Sequence, residues 1–171
     1  MAILEVLSYP NDILRKKSSK VEKFDSELHM LLDDMYETMM QRDGVGLAAV
    51  QVGVLQRVLL VNIPREEDGK QYKEDLYEII NPVILHKSDE IYWDEGCLSV
   101  PGFYEKVKRY KNISLGYQDR FGNEKVLKAE GFLAVAFQHE MDHLEGILFI
   151  DKLSILKRKK FEKELKKAKT S

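Results

Sequence analysis

Between positions 25 and 42, Leu28, Leu31, Leu32, Met35 and Met39 recur at intervals of three or four residues, with polar residues between them. This is the stripe of an amphipathic helix. Asp25 stands in front of it as a fitting N-cap, so the spacing predicts a helix from there to about Arg42. The methionines read as core filler rather than as ligands. Pro10 and Asn11 open a short helical piece ending near Lys17. Residues 57–63 are a β-branched and leucine run, hence a strand, followed by a charged turn over 64–69. Residues 77–81, 83–85 and 90–93 read as further strands. Residues 110–118 and 124–128 flank Asp119-Arg-Phe-Gly-Asn123 and predict a hairpin. A helical period then runs from Glu130 to Gly146, where the glycine closes it. The basic stretch 152–171 reads as a last helix whose Leu153, Leu156, Phe161 and Leu165 dock on the body. Strands followed by a long helix, with helices at both ends, predict an α+β fold. Small antiparallel sheets would pack around the central helix, flanked by an N-terminal and a C-terminal helix. No repeat or low-complexity linker divides residues 1–171, so one domain is expected.

The central helix carries His139-Glu-Met-Asp-His143. One helical turn separates the two histidines, so both imidazoles leave the same face and can hold one divalent metal. Glu140, one residue on, can reach a water at that metal as a general base. A catalytic site of this kind takes three protein ligands and keeps one position open. The continuation H-E-x-x-H-x-x-G-x-x-H fails, because Gly146 is in place but Phe149 stands at the last histidine position. A downstream glutamate offers only Glu162 and Glu164, in a lysine-rich tail poorly suited to a buried ligand. The remaining candidate is Cys97, the one cysteine, in Asp94-Glu-Gly-Cys-Leu-Ser-Val-Pro101. A free cysteine is often a small buried hydrophobe. Here the neighbouring glycine and the Leu-Ser-Val-Pro that follows predict a tight bend entering a strand, which could present sulfur and a backbone N–H together.

Residues 44–53 read Gly-Val-Gly-Leu-Ala-Ala-Val-Gln-Val-Gly. The glycines let a backbone come close to something, but neither a dinucleotide fingerprint nor a phosphate loop is present. A helix end at Gly44 followed by a turn explains most of the stretch. Gln51 is harder to dismiss, since a buried amide must be hydrogen-bonded or held ready for a ligand oxygen.

Three blocks now stand in order: Gly44-Val-Gly-Leu-Ala-Ala-Val-Gln51, Glu95-Gly-Cys-Leu-Ser99 and Gln138-His-Glu-Met-Asp-His-Leu-Glu-Gly146. Together they resemble the three signature motifs of peptide deformylases, with every signature position filled and the resemblance covering nearly the whole chain. It implies a hydrolase that removes the N-formyl group from the N-terminal methionine of new proteins and releases formate. It implies Cys97, His139 and His143 as ligands of one divalent ion, natively Fe²⁺, with Zn²⁺, Ni²⁺ or Co²⁺ able to substitute. Glu140 would be the proton carrier. The Gln51 amide and the Leu98 backbone N–H would meet the developing oxyanion. Phe132, Val135 and Ala136, on the ligand face of the helix, would line the methionine pocket. Val45, Gly46 and Gly96 would pair with the extended substrate backbone. From family position, Glu95 would pair with Arg109; Asp142 could orient a ligand histidine or be an ordinary helix carboxylate. One departure is Tyr104, where some members carry a substrate-contacting arginine.

Composition narrows the setting. At 171 residues, 44% hydrophobic and 33% charged, the chain is of globular type, and no apolar run approaches the ~20 residues of a bilayer span. The N-terminal residues lack the charge pattern and cleavage site of a secretion signal, and a single cysteine suits a reducing compartment, so a cytoplasmic location is expected. Residues 152–171 carry nine Lys/Arg and two Glu, a balance of +7, against −9 for the remaining 151 residues. A basic helix on an acidic body can contact nucleic acid, and the resemblance implies docking on the ribosome. Two other classes compete. An endopeptidase built on the same five residues would need a third carboxylate or histidine and would have no use for Cys97. A module with a structural metal would need four protein ligands, and His29 and His86 lack ligand spacing.

Overall fold

The computed structural model describes the backbone of residues 2–97, 100–152 and 155–170, and the side chains of these except at 96, 97, 100–105, 149, 150 and 164–170. After a four-residue 3-10 turn at Asp12–Arg15 comes α1 (Ser26–Gln41), capped as expected: Asp25 accepts the Leu28 N–H at 3.2 Å. Five strands follow, β1 (Gly46–Ala48), β2 (Val58–Val61), β3 (Tyr77–Cys97), β4 (Val100–Gln118) and β5 (Glu124–Glu130). Then come α2 (Gly131–Leu144) and α3 (Ile155–Thr170). The α+β expectation holds. The strands expected as small sheets join edge to edge into one antiparallel sheet of order β1-β2-β3-β4-β5.

The three short strands read over 77–93 are pieces of one strand. Register shifts at Ile80/Val83, Ile84/His86 and Glu95/Cys97, with Asn81 and Asp89 at positive φ, break the alternation that a sequence reading relies on. Asn81 holds its bulge with its side chain, which bonds Val21 N and O and Gln118 Oε1 at 2.8–2.9 Å.

Helices on both faces explain the unbroken apolar run of β2. Val58 and Leu60 face α1 with Leu28, Leu32, Met35 and Met39, whereas Leu59 and Val61 face α2 with Ala134 and Phe137. A strand buried on both sides has no polar side to show. The same alternation in β1 turns Leu47 toward α1 and Ala48 toward α2, and so sets Gly46 on the α2 side. Phe137 is fully buried, edge-on to Tyr77 at 5.4 Å.

The end of α2 is held by the N-terminal segment and by Arg57, just before β2. Ser18 N donates to Leu144 O at 2.8 Å, and Arg57 pairs with Glu145 at 2.8 Å. Gly146, at φ +74°, packs against the Arg15 carbonyl so closely that a Cβ would collide with it. The expected docking of the last helix is half right: Phe161 is buried edge-on to Tyr9 at 5.4 Å, but Leu156 is 80% exposed. The helix is pinned at its start through Asp151, which takes Arg15 and Arg158, and residue 156 falls on the opposite side from Phe161. Leu153 and the side chain of Leu165 lie outside the described residues. Among the described residues no helix is long and apolar enough to cross a membrane.

Candidate active site

His139 and His143 leave one face of α2, their rings 5.0 Å apart and both buried. Among the described residues, His139, Glu140 and His143 bring potential metal-ligand atoms within 4.8 Å of one another. Glu140 Oε2 is buried with no hydrogen-bond partner among the described residues. An orphaned carboxylate oxygen beside two imidazoles suits a divalent cation and its water. The donor set therefore fits the metal.

Each member is oriented by a neighbour. His139 Nδ1 lies 2.6 Å from Glu95 Oε1 on β3, which leaves Nε2, 3.9 Å from Glu140 Oε1, as the nitrogen that faces the site. Glu95 is itself gripped by Arg109 on β4, through Nε at 2.6 Å and Nη2 at 2.8 Å. The Glu95–Arg109 pair is thus present as expected. The expectation for Asp142 resolves differently: it pairs with Arg109 Nη1, and the carboxylate that orients the histidine is Glu95. This carboxylate–histidine contact is the arrangement that fixes a ligand's tautomer. A second anchor sits one residue before His139. The Gln138 amide accepts from Tyr110 N at 2.9 Å and donates to Tyr110 O at 2.6 Å, bonding α2 to β4 as a neighbouring strand would.

Charge states follow from burial. Burial pushes the Glu140 carboxyl up to about 7, opposed by His139 and reinforced by Glu95. Burial likewise holds His143 well below the usual histidine range, so it is the neutral imidazole that a metal needs. For Glu95 burial acts upward too, but the hydrogen bonds from Arg109 and His139 outweigh it and bring the carboxyl down to about 2. Arg109 is disfavoured by burial and more than repaid by Glu95 and Asp142, so it stays charged.

The glycine-rich stretch is the edge of the sheet rather than only a helix end and a turn. Asn62 N donates to Val45 O at 2.7 Å, which makes Val45 an inward-bonded residue of an antiparallel pair. The alternation of such a ladder turns the N–H and C=O of the next residue, Gly46, to the outer edge, where an extended peptide could pair. The third side of Gly46 meets α2: a Cβ there would stand 2.8 Å from Glu140 Oε1. Gln51, in the 3-10 turn Ala49–Val52, is buried and accepts the Ala48 N–H through Oε1 at 2.9 Å. That bond fixes the orientation of the amide.

On α2, Val135 and Ala136 are buried and Phe132 is part-exposed, stacked on Trp93 of β3 at 5.5 Å and 7°. Trp93 escaped the sequence reading, as did Glu95 as the partner of His139; proximity to the cysteine block was the one available signal. Gly96 lies in β3, and the backbone of Cys97 ends that strand paired with Val100. The side chains of Cys97 and Tyr104, and all of Leu98, lie outside the described residues. His29 is used elsewhere, with Nε2 2.8 Å from Arg120 O, and His86 sits on β3 opposite Ser114.

With this geometry in place, the comparisons with known proteins agree among themselves. A sequence model described as polypeptide deformylase matches residues 3–159. The chain is 64% identical over 169 residues to a peptide deformylase of Helicobacter hepaticus, covering 99% of this chain and 93% of that one. It is 59% identical over 166 residues to one from Helicobacter pylori, covering 97% and 94%. A crystal structure of a peptide deformylase from Legionella pneumophila superposes with a TM-score of 0.90 at 42% identity, covering 99% and 96%. One from Ehrlichia chaffeensis in complex with actinonin gives 0.90 at 43%, covering 100% of both chains.

Proposed function

The chain belongs to the peptide deformylase family, and on that premise we propose that it hydrolyses the N-formyl group of N-formylmethionyl peptides and releases formate. The observation that carries the mechanism is the buried Glu140 carboxylate, one oxygen without a described partner, between two imidazoles and the bare α-carbon of Gly46.

We assign His139, His143 and Cys97 to hold one divalent ion, Fe²⁺ natively, with Zn²⁺, Ni²⁺ or Co²⁺ as substitutes. When bound, such an ion supplies Lewis-acid polarisation and acidifies water. Glu140 takes the proton from the attacking water and returns one to the leaving amine. Glu95 keeps His139 in one tautomer. The Gln51 amide and the Leu98 N–H donate to the oxygen that becomes negative. The substrate backbone pairs along Val45, Gly46 and Gly96, and its methionine side chain enters beside Phe132, Val135 and Ala136.

The test is anaerobic purification, metal analysis and formate release from a formyl-Met peptide, before and after chelation and exposure to air. Metal-dependent, air-sensitive release is expected, since a thiolate ligand and Fe²⁺ both oxidise. Metal-loaded protein that leaves the formyl group intact but cuts casein would instead support the endopeptidase reading.

We read residues 1–171 as one unit whose substrates are nascent chains in the cytoplasm. Exposed Lys159, Lys160 and Lys163 on α3 suit a contact with ribosomal RNA. Charge reversal at Lys159 and Lys160 should then lower co-sedimentation with ribosomes at low salt, and an unchanged pellet would remove that role.

A further inference from the structure

Strand β1 has three residues and, among the described residues, one hydrogen-bonded neighbouring strand, β2, yet it carries Gly46, against which Glu140 rests. Such a short edge strand is weakly fixed by its own ladder. The segment after β2 adds to it. Gln71 Nε2 donates to Gly44 O at 2.9 Å and to Asn62 O at 2.8 Å. Both N–H groups of one amide are thereby spent, one on the residue before Val45 and one on the residue that follows β2. The Asn62 N–H to Val45 O bond, 2.7 Å, lies between them. The side chain acts as one more rung beyond the end of the β1–β2 ladder.

The platform under Gln71 is cross-linked in turn. Asn62 Nδ2 donates to Tyr72 O at 3.1 Å. The Arg65 guanidinium lies 4.1 Å from the Tyr72 ring centroid and bonds Asp75 at 2.7 Å. A charged turn in the sequence is therefore a clasp on the glycine-rich strand.

Resting on the deformylase reading above, we propose that Gln71 is a positioning residue for the reaction. It sets the height of Gly44–Gly46, and through Gly46 it sets both the place of the Glu140 carboxylate and the edge along which the peptide lies. No contact of Gln71 with substrate is required.

The test compares Gln71→Met, which keeps the length and removes both donors, with Gln71→Glu, which sets a carboxylate against two carbonyls. Turnover of a formyl-Met tripeptide and of formyl-Met amide is measured with native-state hydrogen exchange at the Asn62 N–H and the urea unfolding midpoint. In Gln71→Met, exchange at Asn62 should quicken and kcat/KM for the tripeptide fall, each roughly tenfold, the worth of a net hydrogen bond or two. The shorter substrate should lose less, and Gln71→Glu should lose more on both. The unfolding midpoint should fall only by what the lost hydrogen bonds are worth, with the protein still folded under assay conditions. Wild-type exchange and wild-type kinetics in both variants overturn the proposal. So does a turnover loss that follows the folded fraction alone, or one equal for the two substrates. A wild-type protein that releases no formate would instead sink the deformylase reading, while the exchange measurement would still report on the clasp.

Discussion

Gly46 and Glu140 touch across the gap between edge strand and helix, so closely that the glycine's missing side chain is the space the carboxylate occupies. Gly46 is not at positive φ, so the requirement for glycine here is spatial rather than conformational.

Gly46→Ala should push the Glu140 carboxylate off its position while leaving the outer edge of β1 intact. A displacement of about 1 Å in a reacting group can cost on the order of 100-fold. We expect that loss in kcat, with KM and bound metal little changed. Formate-release kinetics with metal analysis would show it; a fully active alanine variant would mean the carboxylate has room elsewhere.

Gln51→Ala removes a donor whose orientation is set by the bond from Ala48 N. One such donor is worth about 3–4 kcal/mol of transition-state stabilisation in other enzymes. The decrease should again fall on kcat. Wild-type kcat in the variant would take Gln51 out of this role.

These two contacts also mark what could be read before the structure. The helix α1 was legible because cap and apolar stripe are local, and His139–His143 because five residues on one helix suffice. The Glu95–His139 contact spans 44 positions, with two strands between its partners, and no local period records it. The length of β3 was hidden by its bulges, and β1 by its brevity. Leu156 was misassigned because a helix face can be read from spacing, but the way it turns depends on Asp151, Arg15 and Arg158 meeting at its start.

Acid should loosen the protein through Glu95. Its folded value of about 2 lies below the ordinary 4.5, so the stability it contributes is present above 4.5 and lost as pH falls toward 2. A depression of that size corresponds to roughly 3 kcal/mol. Urea unfolding of metal-free protein should therefore steepen in pH dependence across that window, and Glu95→Gln should flatten it. Equal slopes for the two proteins would contradict the assignment.

Gly146→Ala faces two obstacles, a left-handed backbone and the Arg15 carbonyl where its methyl would go. The backbone alone costs about 1–2 kcal/mol, and the collision adds to it. The unfolding midpoint should drop markedly, with wild-type kcat in whatever remains folded. A stability equal to wild type would mean the N-terminal segment is free to withdraw.

Arg109 stands between carboxylates on a strand and on a helix; it is buried with Glu95, and Asp142 is partly exposed. Removing it alone would leave the buried Glu95 without its guanidinium and Asp142 with only Lys152, 3.9 Å away; breaking a buried ion group in this way is in other proteins far costlier than exchanging the whole group for apolar residues. Single-step change at Glu95 or Arg109 is therefore costly. Because Glu95 also holds His139, descendants of this chain should keep the Glu95–Arg109 pair, and a directed-evolution experiment that randomises both codons under selection for activity should return it.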